Sequence, residues 1–504
     1  MKRIYIFIAV LAIGLLLPIY TLADSPKILS VYYMNWSPHS HLNQHQQVRD
    51  LPWNRASVIN HAFWRLVPNE DQTQFSIASI EPHLDLRPGG AFDQYAEMHA
   101  LYPDVRILLS IGGWTDSRWF TIMASTPEGR QSFINATIET LLEFPFFGGV
   151  NINWEHPGSS REHEGITPHP NEMDNYTALL RELRMGFDAA GLVEHQLTIA
   201  APSSTNCLRN GTITIDIPAI WPYLCQISIM TYDMAGGWTG RAMHHTALNP
   251  GRGVESGISV AEAVEFYLSQ GVPPELLSIG SPLYTHGWII DAENGEDALG
   301  MMASGQPASP LGAGQRHWHD IQRLKQYPGW DVLHDEAAEA AFIFNSDPTS
   351  PYFQHFYTYE STRSLQAKLD FINEMGLGGL IVWATAGDAM YPLADFPMIT
   401  QMAVGLGLYS GEIPVFPMVF VPQEPEEVAE PTSQPEEIDL LPSHDYVPSY
   451  DDTEHELLPI EEDVAVPLLT ANPRRTIILL IAAAVLMIVV GGAFGAVVAL
   501  SKRR

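Results

Sequence analysis

The chain has 504 residues, with 26 lysines and arginines against 58 aspartates and glutamates, a formal net charge of -32 and only two cysteines. So negative a balance, with no basic stripe to offset it, argues against nucleic acid as a partner, and two cysteines exclude a disulfide scaffold and cysteine-rich zinc or iron–sulfur sites. The length allows one large catalytic domain with attachments or a few smaller domains, and a hydrophobic content of 46% suffices for a sizeable core.

Lys2 and Arg3 precede an apolar run over residues 4–20, followed by Thr21-Leu22-Ala23. That order predicts a secretory signal peptide over residues 1–23, the alternative being an uncleaved N-terminal anchor. Eight strand-like runs follow, over residues 28–33, 58–63, 105–110, 149–154, 196–200, 226–231, 276–282 and 379–383. Helical patterns lie between them. Ser125-Thr126-Pro127-Glu128 is a start signal before Phe133, Ile134, Ile138, Leu141 and Leu142; Tyr176, Leu179, Leu180 and Leu183 form a second stripe; Ser259 opens a third that stops at Gly271. Alternating strands and helices predict an α/β fold with a parallel sheet, and eight repeats favour a closed (β/α)8 TIM barrel over an open doubly wound sheet. No glycine-rich phosphate fingerprint follows the first strand, which weakens a dinucleotide-binding reading. The stretch from Tyr284 to Gly379 is too long for one helix, so a small α+β insertion is expected over about residues 289–360, within a barrel domain spanning 24–411.

Beyond the barrel, residues 412–473 are rich in proline, and from Glu424 to Asp463 every formally charged residue is acidic. Such a segment cannot bury enough surface to fold and repels itself, so an extended, disordered stalk is expected. Residues 476–500 carry no charge and are long enough to cross a hydrocarbon core about 30 Å thick. With the signal peptide, this predicts a single-pass type I membrane protein, its bulk extracellular or luminal and residues 501–504 cytoplasmic. The terminal Lys502-Arg503-Arg504 argues against a lipid-anchor signal, which ends in its apolar run.

In Gly148-Gly149-Val150-Asn151-Ile152-Asn153-Trp154-Glu155 the polar and apolar residues alternate, so Asn151, Asn153 and Glu155 share one face and Val150, Ile152 and Trp154 the other. In a barrel the polar set lines the interior, with Glu155 at the C-terminal end where active sites are built. Burying two amides and a carboxyl is costly unless they bond one another or a ligand. A satisfied structural network and a functional site are the two readings.

Residues 147–157, FGGVNINWEHP, resemble the signature of glycoside hydrolase family 18, the chitinases and chitinase-like lectins, whose pattern is D-G-x-D-x-D-x-E with aromatic and proline flanks. Further matches come in the family's order: Tyr32-Tyr33-Met34-Asn35-Trp36, Ala62-Phe63, Ser110-Ile111-Gly112-Gly113-Trp114, Met230-Thr231-Tyr232-Asp233, Pro282-Leu283-Tyr284 and Gly378-Gly379-Leu380-Ile381-Val382-Trp383. The likeness runs from Lys27 to about Leu408. It implies substrate-assisted hydrolysis of β-1,4-linked N-acetylglucosamine, in chitin or oligosaccharides, with no cofactor. The acetamido oxygen of the sugar attacks its own anomeric carbon. Glu155 would be acid and then base, Asn153 would stand where the family has an Asp that accepts the acetamido N–H, Tyr232 would donate to the acetamido oxygen and Asp233 would bind the sugar. Trp383 would form the pocket floor; Tyr32, Phe63, Trp114, Met230 and Tyr284 match other pocket positions, and Trp36 and Trp238 would line the cleft.

The departures fall in the signature itself, where three aspartates of the pattern are Gly148, Asn151 and Asn153. An amide keeps shape and acceptance but loses charge, and one lost preorganised electrostatic partner costs about 10²–10³ in rate. Losing the carboxylates is also expected to relieve like-charge pressure on Glu155 and lower its pKa. The remaining Asn-Trp-Glu resembles the Asn-x-Glu pair of family 85 endo-β-N-acetylglucosaminidases. Two functions follow: a hydrolase of impaired or altered efficiency, or a catalytically inactive membrane-bound chitin-binding lectin.

Asn35, Asn135, Asn175 and Asn210 open glycosylation sequons, the first expected on a buried strand. Cys207 and Cys225 could pair outside the cell. His244, His245, His317 and His319 have no carboxylate at ligand spacing, so they read as surface loop histidines and no metal is expected.

Overall fold

The computed structural model describes residues 26–161, 165–389 and 395–414. The expected signal peptide, nearly all of the stalk, the membrane span and the cytoplasmic tail lie outside the described residues. Among the described residues no helix is long and apolar enough to cross a membrane.

Thirteen strands are present in the described chain: β1 (Ile28–Met34), β2 (Val58–Pro68), β3 (Phe75–Ser79), β4 (Arg106–Gly112), β5 (Phe147–Asn153), β6 (Gln196–Pro202), β7 (Gln226–Met230), β8 (Leu277–Pro282), β9 (His286–Ile289), β10 (Trp330–Asp335), β11 (Ala340–Asn345), β12 (His355–Tyr359) and β13 (Gly379–Trp383). Eight are parallel neighbours in the order β1-β2-β4-β5-β6-β7-β8-β13, and β13 pairs back to β1, closing the barrel. All eight expected strands are therefore found. β2 runs on to Pro68 and folds back antiparallel onto β3, a hairpin that the alternation did not predict. Between β8 and β13 the insertion is a four-stranded antiparallel sheet, β10-β11-β12-β9, starting at His286 and so a few residues earlier than expected.

Period two decides what faces each way. On β5, Val150, Ile152 and the following Trp154 are buried in the layer between barrel and helices, together with Phe133, Ile134, Leu141, Tyr176, Leu179, Leu180 and Leu183 from the predicted stripes. Leu142, counted in the first stripe, is exposed: Leu141 takes the buried position, and Leu142 lies one residue further round the helix. That helix, Pro127–Glu143, starts as the sequence indicated, with the Thr126 hydroxyl accepting from the Gly129 N–H. The barrel interior is polar and paired in layers. Asn60 donates to Ser30 at 2.8 Å and Gln226 to Ser278 at 2.5 Å.

The two glycines that open the signature differ in what the fold asks of them. Gly149 has φ +144°, and a Cβ there would lie 2.1 Å from the Gln196 carbonyl oxygen on β6, so only glycine lets these strands approach. A Cβ on Gly148 would meet nothing nearer than 3.9 Å. Gly149→Ala is therefore expected to destabilise the barrel by more than ~2 kcal/mol, and Gly148→Ala by less than ~0.5 kcal/mol. Urea unfolding of the two variants checks this; equal effects would contradict the β5–β6 packing described.

Candidate active site

The C-terminal ends of β1, β2, β4, β5, β7 and β13 converge on one cleft, and the two signature amides occupy different levels of it. Asn151 is 1% exposed. Its Oδ1 accepts from Tyr32 Oη on β1 and from Ser110 Oγ on β4, each at 3.0 Å, and its Nδ2 donates to Thr198 Oγ1 on β6 at 3.0 Å. Asn151 is thus a cross-strand bridge beneath the site, and it holds the Tyr32 hydroxyl in place.

Asn153 is one layer higher and also buried. Its backbone oxygen accepts from Gly113 N at 2.8 Å, and its side-chain amide donates toward the Glu155 carboxyl, whereas its Oδ1 has no hydrogen-bond partner. Ser117, in the turn after β4, accepts from the Glu155 N–H at 2.9 Å and donates to the Gly113 carbonyl at 2.8 Å, fixing the backbone on which Glu155 is carried. Burial pushes the Glu155 carboxyl up to about 7, and the negative charge of Asp233 adds to the rise; Arg161 and the Asn153 amide oppose it. The expected fall on loss of two neighbouring carboxylates is therefore not what governs this group: desolvation dominates.

Tyr232 is buried against Gly280, where a Cβ would sit 2.6 Å from its ring, and burial first of all holds its hydroxyl protonated, well above the usual tyrosine range. Asp233 follows with φ +53°, a left-handed conformation that Asp tolerates better than most residues. Its Oδ1 accepts from His286 Nε2 at 2.7 Å and from the Tyr284 hydroxyl.

The aromatic residues form a continuous wall. Trp383 stacks on Phe63 at 5.5 Å between centroids and lies against Tyr32 at 5.4 Å, while Trp36 also stacks on Phe63, at 6.4 Å. Met230, Tyr232 and Tyr284 pack into the same cluster. Trp114 and Trp238 stand outside it and are exposed, at 41% and 61%. Trp114 carries the Arg161 guanidinium 4.2 Å above its ring, and Trp238 meets His286 edge-on at 5.3 Å. Three non-proline cis peptide bonds, Ala62–Phe63, Glu155–His156 and Trp383–Ala384, lie at these strand ends.

Sequence reasoning missed Ser117, Arg161 and His286. His286 was within reach of it, since it stands two residues after Tyr284 and so on the same side of an extended segment; nothing in the pattern marked Ser117 or Arg161. The four histidines read as surface residues are instead buried: His244 bonds Asp335 at 3.2 Å, His317 bonds Asn43 at 3.0 Å, His319 lies 3.1 Å from Asp320, and His245 is 0% exposed. Folding supplies the carboxylate that local spacing lacked, for Asp233, His245 and His286 each place one ligand atom within 4.8 Å of the others. His334, Glu336 and Glu339 make a second such group on the β10–β11 hairpin. Cys207 and Cys225 are both free. Asn35 is buried as expected, its Nδ2 donating to Asp85 at 3.0 Å, whereas Asn135 and Asn210 are exposed.

A raised carboxyl binds its proton more tightly folded than unfolded, so its contribution to stability is full near pH 4 and is lost as pH rises through about 7. Glu155→Gln is therefore expected to match the wild type near pH 4 and to exceed it by about 2 kcal/mol at pH 8. Denaturant titrations at the two pH values measure this, and a variant less stable at pH 8 would contradict the burial assigned to Glu155.

The family model described as Glycosyl hydrolases family 18 matches residues 28–388. Chitinase A1 of Niallia circulans is 27% identical over 413 residues, covering 73% of this chain and 57% of its own length. The Manduca sexta endochitinase is 24% identical over 374 residues, covering 72% of this chain and 64% of its own. The chain thus spans less than two thirds of the length of these relatives. Among solved structures, the Ostrinia furnacalis Group IV chitinase in complex with allosamidin superposes with a TM-score of 0.67 at 25% identity, covering 76% of this chain and 99% of that one.

Proposed function

This chain belongs to glycoside hydrolase family 18, and on that premise we propose that it hydrolyses β-1,4-linked N-acetylglucosamine, in chitin or its oligosaccharides, by substrate-assisted retaining catalysis with a neutral acceptor at Asn153. The observation that carries the proposal is the pairing of a carboxyl held near 7 with a buried, unpaired acceptor oxygen beside it. A carboxyl with that pKa is protonated often enough at neutral pH to serve as acid, and ionised often enough to serve as base. The unpaired Asn153 Oδ1 is the group that an incoming acetamido N–H would satisfy.

In the first step the acetamido oxygen bonds to the anomeric carbon, the glycosidic C–O bond breaks and Glu155 gives its proton to the leaving oxygen. Asn153 Oδ1 accepts the acetamido N–H, and the Tyr232 hydroxyl, protonated at all working pH values, donates to the acetamido oxygen and orients it. In the second step the Glu155 carboxylate takes a proton from water, whose oxygen bonds to the anomeric carbon and reopens the ring with retention. Asp233 binds the sugar, and Trp383 with Phe63 forms the apolar floor beneath it. At this end of the barrel the neighbouring acidic side chain is Asp233, and Asn153 brings none. At position 153 a dipole replaces a charge, so the oxazolinium is balanced only by Asp233 and by Glu155 once it has given its proton, and the chemical step is slowed.

That same neutrality favours one other reading, a lectin that binds oligosaccharides without turnover, because Asn151 is committed to the fold and Asn153 brings no charge. On either reading we place the barrel on the outer side of a membrane, on the strength of residues 1–23 and 476–500; protease treatment of intact cells should release it.

Asn153→Asp separates the two readings. The variant is expected to raise kcat on N-acetylglucosamine oligosaccharides by about tenfold or more, and kcat/KM of the wild type is expected to fall as pH rises above about 7, where Glu155 loses its proton. Initial rates of product release measure both; an unchanged rate in Asn153→Asp would overturn the role given to Asn153.

A further inference from the structure

We propose that Asp233, His245 and His286 form a binding site for a divalent transition ion of the zinc type, and that the ion, when bound, withdraws Asp233 from sugar binding. The second clause rests on the function proposed above; the first does not.

His245 is 0% exposed, and neither of its ring nitrogens has a hydrogen-bond partner. A buried imidazole left so costs free energy, since nearly all buried polar groups are paired, and His245 has no role in the hydrolysis described. Its neighbours supply what an ion needs. Asp233 Oδ1 and His286 Nε2 are already 2.7 Å apart, and a nitrogen of His245 completes a set of three atoms within 4.8 Å of one another. Two imidazoles and one carboxylate suit zinc, with water in the fourth position.

The three segments are anchored independently of any ion. His245 O accepts from Met234 N at 3.1 Å, and the Thr246 hydroxyl donates to Thr231 O at 2.8 Å, pinning this loop to the turn that carries Asp233. His286 begins β9 and pairs with Thr358 on β12. Little ordering is left to be done on binding. Lys368, the nearby cation, is neutralised by Glu360 at 2.5 Å, so the local charge stays favourable to a dication. The Asp233 side chain is 48% exposed and gives a route in from the cleft. Coordination replaces the His286 Nε2–H, and that ring takes its Nδ1–H tautomer, with the Tyr284 hydroxyl still donating to the Asp233 carboxylate.

His286 Nδ1 has no hydrogen-bond partner, and an outer partner of that kind is worth roughly 10–100-fold in affinity. The site is accordingly built for reversible, micromolar binding rather than for a resident cofactor, and its consequence is inhibition that competes with substrate.

Zinc titration of the full chain by calorimetry, with cobalt absorption spectroscopy alongside, tests the site directly. Wild type is expected to bind one ion with a visible cobalt spectrum of nitrogen and oxygen ligation. His245→Ala, verified as folded by its thermal transition, should weaken zinc binding more than about 100-fold. If affinity survives in His245→Ala, or is lost instead in His334→Ala, the ion sits elsewhere and the proposal fails. If His245→Ala does not fold, the cobalt spectrum of the wild type decides, and its absence overturns the site. On oligosaccharides, micromolar zinc is expected to raise KM several-fold in the wild type and to leave His245→Ala unaffected. A chain that binds zinc through His245 but cleaves nothing would refute the hydrolase reading while leaving the metal site standing.

Discussion

The site stands on a buried amide that ties four barrel strands together. Asn151 on β5 accepts from Tyr32 across the barrel on β1 and from Ser110 on β4, and donates to Thr198 on β6. An apolar residue at 151 would leave the buried Tyr32 and Ser110 hydroxyls unsatisfied, at a cost of about 1–3 kcal/mol apiece, whereas Thr198 would still donate to the Val150 carbonyl. Because Tyr32 is held from below, its ring has one place to stand, and Trp383, Phe63 and Trp36 stack outward from it. The aromatic wall is thus referenced to a polar bond at the barrel's centre.

Above that layer the polar residues are no longer all satisfied, and this is where chemistry can enter. Asn153 uses its amide on Glu155 and leaves its oxygen unpaired, while Glu155 is raised mainly by burial and only secondarily by Asp233. An aspartate at 153 would bring both acceptance and charge; an asparagine separates the two, keeping the acceptor and leaving the negative charge to Asp233 nearby. The two asparagines of the signature, alike in sequence, therefore have different work: one is structural and internal, the other faces the unfilled part of the network.

Much of this was legible in the chain. Eight strands were visible because period-two alternation is a local property, and the helix at Pro127–Glu143 was visible because Thr126 and Pro127 are a local start signal. The cluster of Tyr32, Phe63, Tyr232, Tyr284 and Trp383 followed from motif order along the strands, since a closed barrel brings consecutive strand ends together. What could not be read depends on long-range contact. The β3 hairpin, and the strand order inside the insertion whose presence the sequence did indicate, rest on pairings between segments whose patterns are weak, and the stacking of Arg161 on Trp114 joins two loops. The histidines were misread for the same reason: His245 lacks a carboxylate in sequence, but β7 and β9 deliver Asp233 and His286 to it in space.

The central claim is that a half-buried Glu155 and a neutral Asn153 suffice for substrate-assisted retaining hydrolysis. Time-resolved proton NMR of an N-acetylglucosamine hexasaccharide with the wild type and with Glu155→Gln tests it most directly. The account predicts slow release of product that is initially the β-anomer, and none with Glu155→Gln. Product that appears first as the α-anomer, or at the same rate in the variant, would contradict it; binding of the hexasaccharide with no product from either protein would make the chain a lectin on a hydrolase barrel.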